Sequence, residues 1–424
     1  MIKRSKPSLE KRLYNYLIKD FAPDYSSDKA KFGSNELWQR LNQMGTELWL
    51  DTGDIAEINN LWTQDFTAVT TNNTLLNKVV QTGIYDTLIT DISEILNQYD
   101  LDDQQRKLEF AFALNAYHAL RLVEKFNAFV SVEEHTDLAA DVNLAVEYAR
   151  RYYAICPERF IIKIPFTPAG LLATYKAGEE GIPINHTLGF SARQNYLIAR
   201  IAKPKYVNVF LGRLNSFISE NNLGDGLYVG EKAAIASNTV ISELRHTHST
   251  PCRQIAASIR DGRQILNLAG VNIMTMPPKA AGEFLKLKIE PEMVIDQTER
   301  NYEPVFINNS AVDKYRINNL WQVPDKLIAC IDKLENEDLD KFTPDDILNF
   351  FIDYECGDIM VRWGHKEIET SISEGKIPYI DNWKRAIVEN AIGIDSLMNL
   401  AGLCSFASDQ KAMDERVNSI LLHI

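Results

Sequence analysis

Eight short segments of apolar and β-branched residues recur between residues 47 and 276, each followed by a longer stretch of helical periodicity. Such alternation of strand and helix predicts a parallel sheet with helical crossovers. The repeats extend to about residue 290, which matches the roughly 250 residues of a closed barrel. The sequence therefore predicts an α/β protein with a (β/α)8 TIM barrel. The predicted strands are residues 47–51, 66–70, 127–133, 159–165, 182–187, 205–210, 253–258 and 271–276.

The barrel segment divides the chain into three predicted parts. Residues 1–45 hold a helical stretch over 9–21 and a polar stretch over 26–35, which we interpret as an N-terminal helical arm and linker on the surface. Residues 46–300 are the predicted barrel with the active site. Residues 301–424 are a predicted C-terminal helical extension.

Helix-start residues follow several predicted strands directly, namely Asp54, Thr167 with Pro168, Ser191 and Asp261. The longer connection between residues 70 and 127 predicts two helices. In the extension, apolar side chains at helical spacing are expected to pack in a core rather than bind a ligand. They are Leu320, Trp321, Leu327, Ile328, Phe350 and Phe351.

Charge and cysteine content narrow the functional classes. The chain of 424 residues has a formal net charge of -13, which repels nucleic acid and anionic membrane surfaces, so we expect neither as a partner. The 5 cysteines form no CxxC pair and indicate reduced thiols. With no apolar run of membrane-spanning or signal-peptide length in the sequence, we expect a cytoplasmic protein. The oligomeric state is left open, and a homo-oligomer is compatible with the sequence.

Lys163 lies in the middle of the apolar strand FIIKIP. Both faces of a strand in a parallel barrel are covered, so this side chain is expected to be largely desolvated. Desolvation disfavours the charged ammonium, and a neutral amine is a nucleophile toward carbonyl carbon. A Schiff-base role is favoured over the alternative, a salt-bridged or snorkelling lysine.

Polar residues also follow the other predicted strands at the end where catalytic groups of such barrels lie. Taken singly, Asp51 could cap a helix and Asn72 could form a turn, so the convergence of the set carries the prediction. Arg213 and Arg260 follow strands six and seven and are expected to bind phosphate, although salt bridges are the alternative. The set comprises Asp51, Asn72, Glu133, Asn185, Thr187, Asn208, Ser258 and Arg260.

Seven ordered blocks resemble the transaldolase family, which is a class I, Schiff-base-forming (β/α)8 barrel with its lysine on strand 4. The blocks are LWLDTGDI, AVTTNNTLL, FVSVE, IIKIPFTPAGLLA, GIPINHTLGFS, VNVFLGRL and AASIRD. The resemblance implies that Lys163 forms an imine with a ketose phosphate and that Asp51 removes the proton of the fourth-carbon hydroxyl. It implies that Glu133 and Thr187 move protons through a water molecule.

Further roles follow from the same resemblance. Asn72, Asn185, Asn208 and Phe210 would contact the dihydroxyacetone unit, and Arg213, Ser258 and Arg260 would bind the phosphate. Imine chemistry requires neither metal nor organic cofactor, and none is predicted. His246 and His248 have no carboxylate or cysteine at ligand spacing and do not predict a metal site.

The chain also departs from the family pattern. Asn208 stands where transaldolases usually carry Ser, and Asn73 and Thr74 stand where they usually carry Pro-Ser. The resemblance does not account for the long extension after residue 300.

The expected function is transfer of a dihydroxyacetone unit from fructose 6-phosphate or sedoheptulose 7-phosphate to an aldose phosphate, in the pentose phosphate pathway. One alternative is a fructose-6-phosphate aldolase, which releases free dihydroxyacetone. Such aldolases tend to carry Gln at the position of Glu133 and Tyr at that of Phe210, and both positions here resemble transaldolases. Another alternative is a non-catalytic sugar-phosphate-binding or scaffolding barrel that works through its extension. The complete set of Asp51, Glu133 and Lys163 argues against it.

Overall fold

The strands form the predicted closed barrel. The computed structural model describes residues 7–25 and 32–422. Within them eight parallel strands pair in chain order, and the last pairs with the first. Each predicted strand is confirmed, with ends shifted by at most about two residues, within the usual uncertainty of element ends. The strands are β1 (Glu47–Asp51), β2 (Phe66–Thr70), β3 (Phe129–Glu133), β4 (Phe160–Pro165), β5 (Ile184–Thr187), β6 (Tyr206–Phe210), β7 (Arg253–Ala257) and β8 (Ile273–Met276).

Helices connect the strands and cover the barrel. Short 3-10 turns lie at Thr136–Ala140, Pro291–Met293, Ile317–Leu320, Leu339–Lys341 and Gly357–Ile359. The helices are α1 (Leu9–Leu17), α2 (Glu36–Gln43), α3 (Ile55–Leu61), α4 (Asn73–Gln81), α5 (Asp86–Leu96), α6 (Asp103–Phe126), α7 (Val142–Ile155), α8 (Pro168–Glu179), α9 (Ala192–Ile201), α10 (Leu211–Glu220), α11 (Val229–Thr247), α12 (Gly262–Asn267), α13 (Pro278–Leu285), α14 (Asn309–Lys314), α15 (Asp325–Leu334), α16 (Pro344–Asp353), α17 (His365–Glu374), α18 (Ile380–Val388) and α19 (Ile394–Leu421).

The predicted helix starts are confirmed by side-chain caps. Asp54, Thr167, Ser191 and Asp261 each accept a hydrogen bond from a backbone N–H in the first turn of the helix that follows. These caps satisfy donors that have no partner within the helix, so each helix begins within a few residues of its strand.

The connection between β2 and β3 holds three helices rather than the predicted two. Gly83 has φ +82°, which lets the chain turn sharply between α4 and α5. Asp102 then begins α6 with a capping box that includes Gln105. These two local signals separate α4 from α5 and mark the start of α6.

The N-terminal segment packs against helices on the outside of the barrel. Leu13 of α1 is fully buried, and α1 contacts α5, α6 and α7. The unpredicted helix α2 buries Trp38, whose ring centroid lies 4.8 Å from that of Phe284 and 5.3 Å from that of Phe66. Of the predicted polar linker, residues 26–31 lie outside the described residues.

The extension is helical and packed, as predicted. The six apolar side chains expected to pack do so: Leu320, Leu327 and Phe351 are buried, and Trp321, Ile328 and Phe350 are partly buried against the two apolar cores. α15 and α16 contact α9 and α8 on the outside of the barrel, and α19 contacts α4 and α5. The extension is therefore part of the same packed body as the barrel.

A buried ion pair fastens α19 to α9. The Arg193 guanidinium donates to both carboxylate oxygens of Asp395, with Nη2 to Oδ1 at 2.7 Å and Nε to Oδ2 at 2.8 Å. Its Nη1 donates to Asp358 at 2.8 Å, and the Ser191 hydroxyl donates to Asp395 at 2.6 Å. Asp395 is fully buried, so removing it leaves a buried cation with a single carboxylate partner.

Substitution Asp395→Ala should lower the free energy of unfolding by about 3–5 kcal/mol, because it breaks a buried pair and strands the remaining charge. Urea unfolding of the full chain measures the change. The matched control is Asp381→Ala, because Asp381 is 84% exposed and pairs with Lys384 at the surface. That control should change the free energy of unfolding by less than about 1 kcal/mol. Equal losses for the two variants would contradict the role assigned to the buried pair.

Candidate active site

Lys163 lies inside the barrel, where the strand pattern predicts it. Its side chain is 4% exposed, and its Nζ donates to the Thr71 carbonyl oxygen at 2.8 Å. In the sheet register, Lys163 lies between Glu133 of β3 and Asn185 of β5. The amine is therefore buried, with polar side chains on both neighbouring strands.

Asp51 lies at the end of β1 and lines the same cavity as Lys163. Its Oδ1 accepts a hydrogen bond from the Thr70 hydroxyl at 2.8 Å. Burial raises the pKa of this carboxyl above its ordinary value, and the charge of Lys163 and the Thr70 hydrogen bond partly offset that rise. A carboxyl with a raised pKa is a stronger base when ionised.

Glu133 is buried at the end of β3, and its Oε2 accepts the Asn73 backbone N–H at 3.1 Å. Burial raises its pKa, while the Lys163 charge and the Asn73 amide act in the opposite direction. Thr187 ends β5 and is fully buried, and its hydroxyl has no hydrogen-bond partner among the described residues. Glu133 is therefore the register partner of Lys163 on β3, and Thr187 lies two residues after Asn185, the register partner of Lys163 on β5. Both side chains can exchange a proton.

The asparagines form a connected set on β5 and β6. Asn185 donates to the Ser131 hydroxyl at 3.1 Å and accepts from the Asn208 amide at 3.1 Å. Asn208 also accepts the Gly189 backbone N–H at 3.2 Å.

Asn72 lines the cavity, and its Oδ1 caps α4 by accepting the Leu75 N–H at 2.8 Å. Asn72 therefore caps a helix, whereas the alternative considered for it was a turn, and its amide nitrogen is not used in that bond.

The predicted phosphate-binding residues line the same cavity as Lys163. Arg213 is 6% exposed, its guanidinium lies 5.5 Å from the ring centre of Phe210, and its Nη1 has no hydrogen-bond partner within the described residues. Burial and the nearby Arg260 lower the pKa of Arg213 to about 10. Ser258 has φ +64°, so the chain bends sharply between β7 and Arg260. Two guanidinium groups close together favour an anion between them.

Close packing in this region requires a glycine. A Cβ on Gly212 would lie 2.1 Å from the Ser258 carbonyl oxygen and 2.6 Å from Nε of Arg260. The glycine of the block VNVFLGRL therefore allows the β7 loop to approach α10, which carries Arg213.

The cavity has a volume of about 190 Å³ and brings most of the predicted residues together. Asp51, Asn72, Lys163, Asn185, Asn208, Phe210, Arg213, Ser258 and Arg260 line it. Glu133 and Thr187 are buried in the adjacent strand layer. A larger cavity of about 470 Å³ lies between α3, α4 and α6, but Lys163 and Asp51 line the smaller one. Chemistry, and not volume, identifies the candidate site.

Comparison with known proteins agrees with this geometry. A model of the transaldolase/fructose-6-phosphate aldolase family matches residues 48–346. The chain belongs to this family. The probable transaldolase of Thermus thermophilus is 33% identical over 244 residues, which cover 57% of this chain and 91% of that protein. The transaldolase of Chlamydia trachomatis is 27% identical over 286 residues, which cover 65% of this chain and 86% of that protein.

As a member of the transaldolase/fructose-6-phosphate aldolase family, the chain is an enzyme. Across residues 7–25 and 32–422, none of the helices has the combination of length and apolar character needed to cross a membrane.

Sequence reasoning missed two cavity-lining residues of the extension, Phe406 of α19 and Lys376 between α17 and α18. The Phe406 ring centroid lies 6.5 Å from that of Phe210. These residues lie far along the chain from the barrel strands, and no local motif marks them. Thr70 was also missed, although it lies within the block AVTTNNTLL that contains Asn72.

Glu134 is a buried carboxyl group that the sequence pattern did not predict. It is buried next to Glu133, and neither of its carboxylate oxygens has a hydrogen-bond partner in the described chain. Burial, with the adjacent Glu133 carboxylate, raises its pKa well above the ordinary value. Folding therefore takes up a proton at this position when the pH lies between the unfolded and folded pKa values.

Substitution Glu134→Gln should stabilise the protein at neutral pH and raise its Tm by a few degrees. The free energy of unfolding of the wild type falls as pH rises above the ordinary carboxyl pKa of about 4.3, because the unfolded chain then releases a proton that the folded chain retains. The amide removes this dependence. The difference in Tm should therefore be small near pH 4 and grow toward pH 8.

Thermal unfolding across this pH range measures the effect. Glu299→Gln, at an exposed position, is the matched control and should give a pH-independent difference. A Tm for Glu134→Gln below that of the wild type at pH 8 would contradict the inference that the buried Glu134 carboxyl retains its proton in the folded protein.

Proposed function

We propose that the protein is a transaldolase that moves a dihydroxyacetone unit from a ketose phosphate to an aldose phosphate through an imine on Lys163. The observation that carries the proposal is the buried Lys163 amine in one cavity with Asp51, Arg213 and Arg260, next to Glu133. Fructose 6-phosphate and sedoheptulose 7-phosphate are the proposed donors. The proposed setting is the pentose phosphate pathway in the cytoplasm.

The first chemical step joins enzyme and donor. The neutral Lys163 amine attacks the ketose carbonyl carbon, and the resulting carbinolamine takes up a proton and loses water to give a protonated imine. Water can leave only if its oxygen gains a proton, and Glu133 with Thr187 is the proposed relay for it. The raised pKa of Glu133 makes its carboxylate a stronger base, which suits a group that both gives and takes a proton.

The second step breaks the bond between the third and fourth carbons. Asp51 takes the proton of the fourth-carbon hydroxyl, that oxygen forms a carbonyl, and the electrons of the broken bond move to the imine nitrogen as an enamine. The aldose phosphate leaves, and the enamine then attacks the aldehyde carbon of the acceptor by the reverse route. Water hydrolyses the new imine and frees Lys163.

Phosphate recognition places the reacting carbonyl. Arg213 and Arg260 offer charged donors at the cavity, and binding the remote phosphate holds the ketone near the amine. The proposed contacts of the dihydroxyacetone hydroxyls are Asn72 after β2, Asn185 of β5 and Asn208 of β6.

Two alternative functions would make different chemical demands on the site. A fructose-6-phosphate aldolase would release free dihydroxyacetone, and Glu133 and Phe210 favour transfer over this reaction. A non-catalytic barrel would not need a buried lysine with two neighbouring carboxylates, because each is costly to bury.

Borohydride reduction in the presence of fructose 6-phosphate should attach the reduced three-carbon unit to Lys163, as peptide mass spectrometry would detect. Lys163→Met should abolish this adduct and lower kcat by roughly a thousandfold or more. Lys205→Met, at an exposed position directly before β6, is the matched control and should retain both adduct and activity. An unmodified Lys163 in active enzyme would exclude the imine route.

Acceptor dependence separates transfer from release. With fructose 6-phosphate alone, we expect dihydroxyacetone release to be at least about tenfold slower than transfer to erythrose 4-phosphate, because the enamine is held until an aldehyde arrives. Coupled assays of both products measure the two rates. Fast release that erythrose 4-phosphate does not redirect would favour the aldolase.

A further inference from the structure

The cavity of the candidate site is lined partly by the C-terminal extension. Phe406 comes from α19, and Lys376 comes from the short loop between α17 and α18. The Arg213 guanidinium lies 5.5 Å from the Phe406 ring centre, the same distance as from Phe210. The extension therefore contacts a predicted phosphate-binding residue directly.

Several contacts fix the extension at the mouth of the barrel. Asp395 at the start of α19 is held by Arg193 in the buried ion pair. Further along α19, the Asp409 carboxylate accepts a hydrogen bond from Thr74 of α4. Arg416 donates to both carboxylate oxygens of Asp86, at 2.7 and 2.8 Å. α19 is thus held at three places along its length.

The loop that carries Lys376 is fastened to α10 by Asn221. The Asn221 amide donates to the Pro378 carbonyl oxygen at 2.9 Å, and its Oδ1 accepts the Ile380 backbone N–H at 2.7 Å. Asn221 directly follows α10, the helix that carries Arg213. Lys376 therefore has a defined position relative to Arg213.

Positive charge accumulates around Lys376. The residue lies on the exposed rim of the cavity, and burial of part of its side chain together with the charge of Arg213 lowers its pKa. Lys78 and Arg260 act in the same direction, and Asp409 opposes them. An excess of cations at the opening of a cavity is favourable when an anion occupies it.

We propose that Lys376 is a third cationic ligand for the phosphate group of the substrates, contributed by the C-terminal extension to the pair Arg213 and Arg260. This inference rests on the proposed function and names the group that selects phosphorylated over unphosphorylated sugars. A phosphate monoester carries a charge of about -1.5 to -2 at neutral pH and offers three acceptor oxygens. The lysine ammonium acts on it as a compact point charge with three donors.

The test compares the wild type with Lys376→Gln, Lys376→Arg and Lys366→Gln in the full chain. Lys366 lies on the exposed side of α17 and outside the cavity, so its variant has the same loss of charge without a change at the site. The readouts are the Kd of inorganic phosphate by calorimetry, and KM and kcat with fructose 6-phosphate and erythrose 4-phosphate.

For Lys376→Gln we expect the Kd of inorganic phosphate and the KM of fructose 6-phosphate to rise about tenfold, with kcat within about twofold of the wild type. Lys376→Arg should stay within about threefold of the wild type for both constants, since it keeps the charge. Lys366→Gln should match the wild type. This pattern supports the third ligand.

An unchanged Kd of inorganic phosphate in Lys376→Gln would overturn the inference, as would a fall in kcat with Kd and KM unaltered, which indicates a structural role. Failure of the proposed function gives a different result, namely no borohydride adduct on Lys163 of the wild type. The calorimetric comparison needs no turnover, so it decides the role of Lys376 in either case.

Discussion

The electrostatic interaction of one buried lysine with two buried carboxyls is the interaction on which the site depends. Lys163, Asp51 and Glu133 come from three different strands, and each would be costly to bury alone. Burial raises the pKa of both carboxyls, and the charge of Lys163 opposes that rise in each. The charge of Lys163 therefore favours the ionised form of each carboxyl, whereas the Asp51 carboxylate opposes ionisation of Glu133.

The closed parallel barrel is what brings these strands together. All eight strands point the same way, so their carboxyl ends form one ring, and residues distant in sequence meet there. The ring leaves an open mouth, and in this chain α19 packs beside it on α4. The buried pair of Arg193 and Asp395 orients the start of α19, while Phe406 and Asp409 follow on the same helix. Barrel and extension thus form a single binding cavity.

The barrel and most of the site could be predicted from the sequence because their signals are local. Strand and helix periods, N-cap residues and a lysine in an apolar strand can each be read within about ten residues, and all were confirmed as structural features. The cavity contacts of Phe406 and Lys376 could not be predicted, because they depend on how α19 and the α17–α18 loop pack. Trp38 was missed for a similar reason, since its partners Phe66 and Phe284 are remote in sequence.

Each residue that departs from the family pattern makes a specific hydrogen bond in the structure. Asn73 occupies the first position of α4, and its backbone N–H donates to Glu133, a bond that proline cannot make because it lacks the N–H. Thr74 donates to Asp409 of α19 and so links the altered turn to the extension. Asn208 donates to Asn185, whose own amide donates to Ser131. Both polar ends of the Asn185 side chain are therefore already engaged, and a substrate hydroxyl that binds there must share or displace one of these bonds. Asn208 therefore fixes the side chain of Asn185 through a hydrogen bond. Asn73 and Thr74 connect the turn before α4 to Glu133 and to the extension.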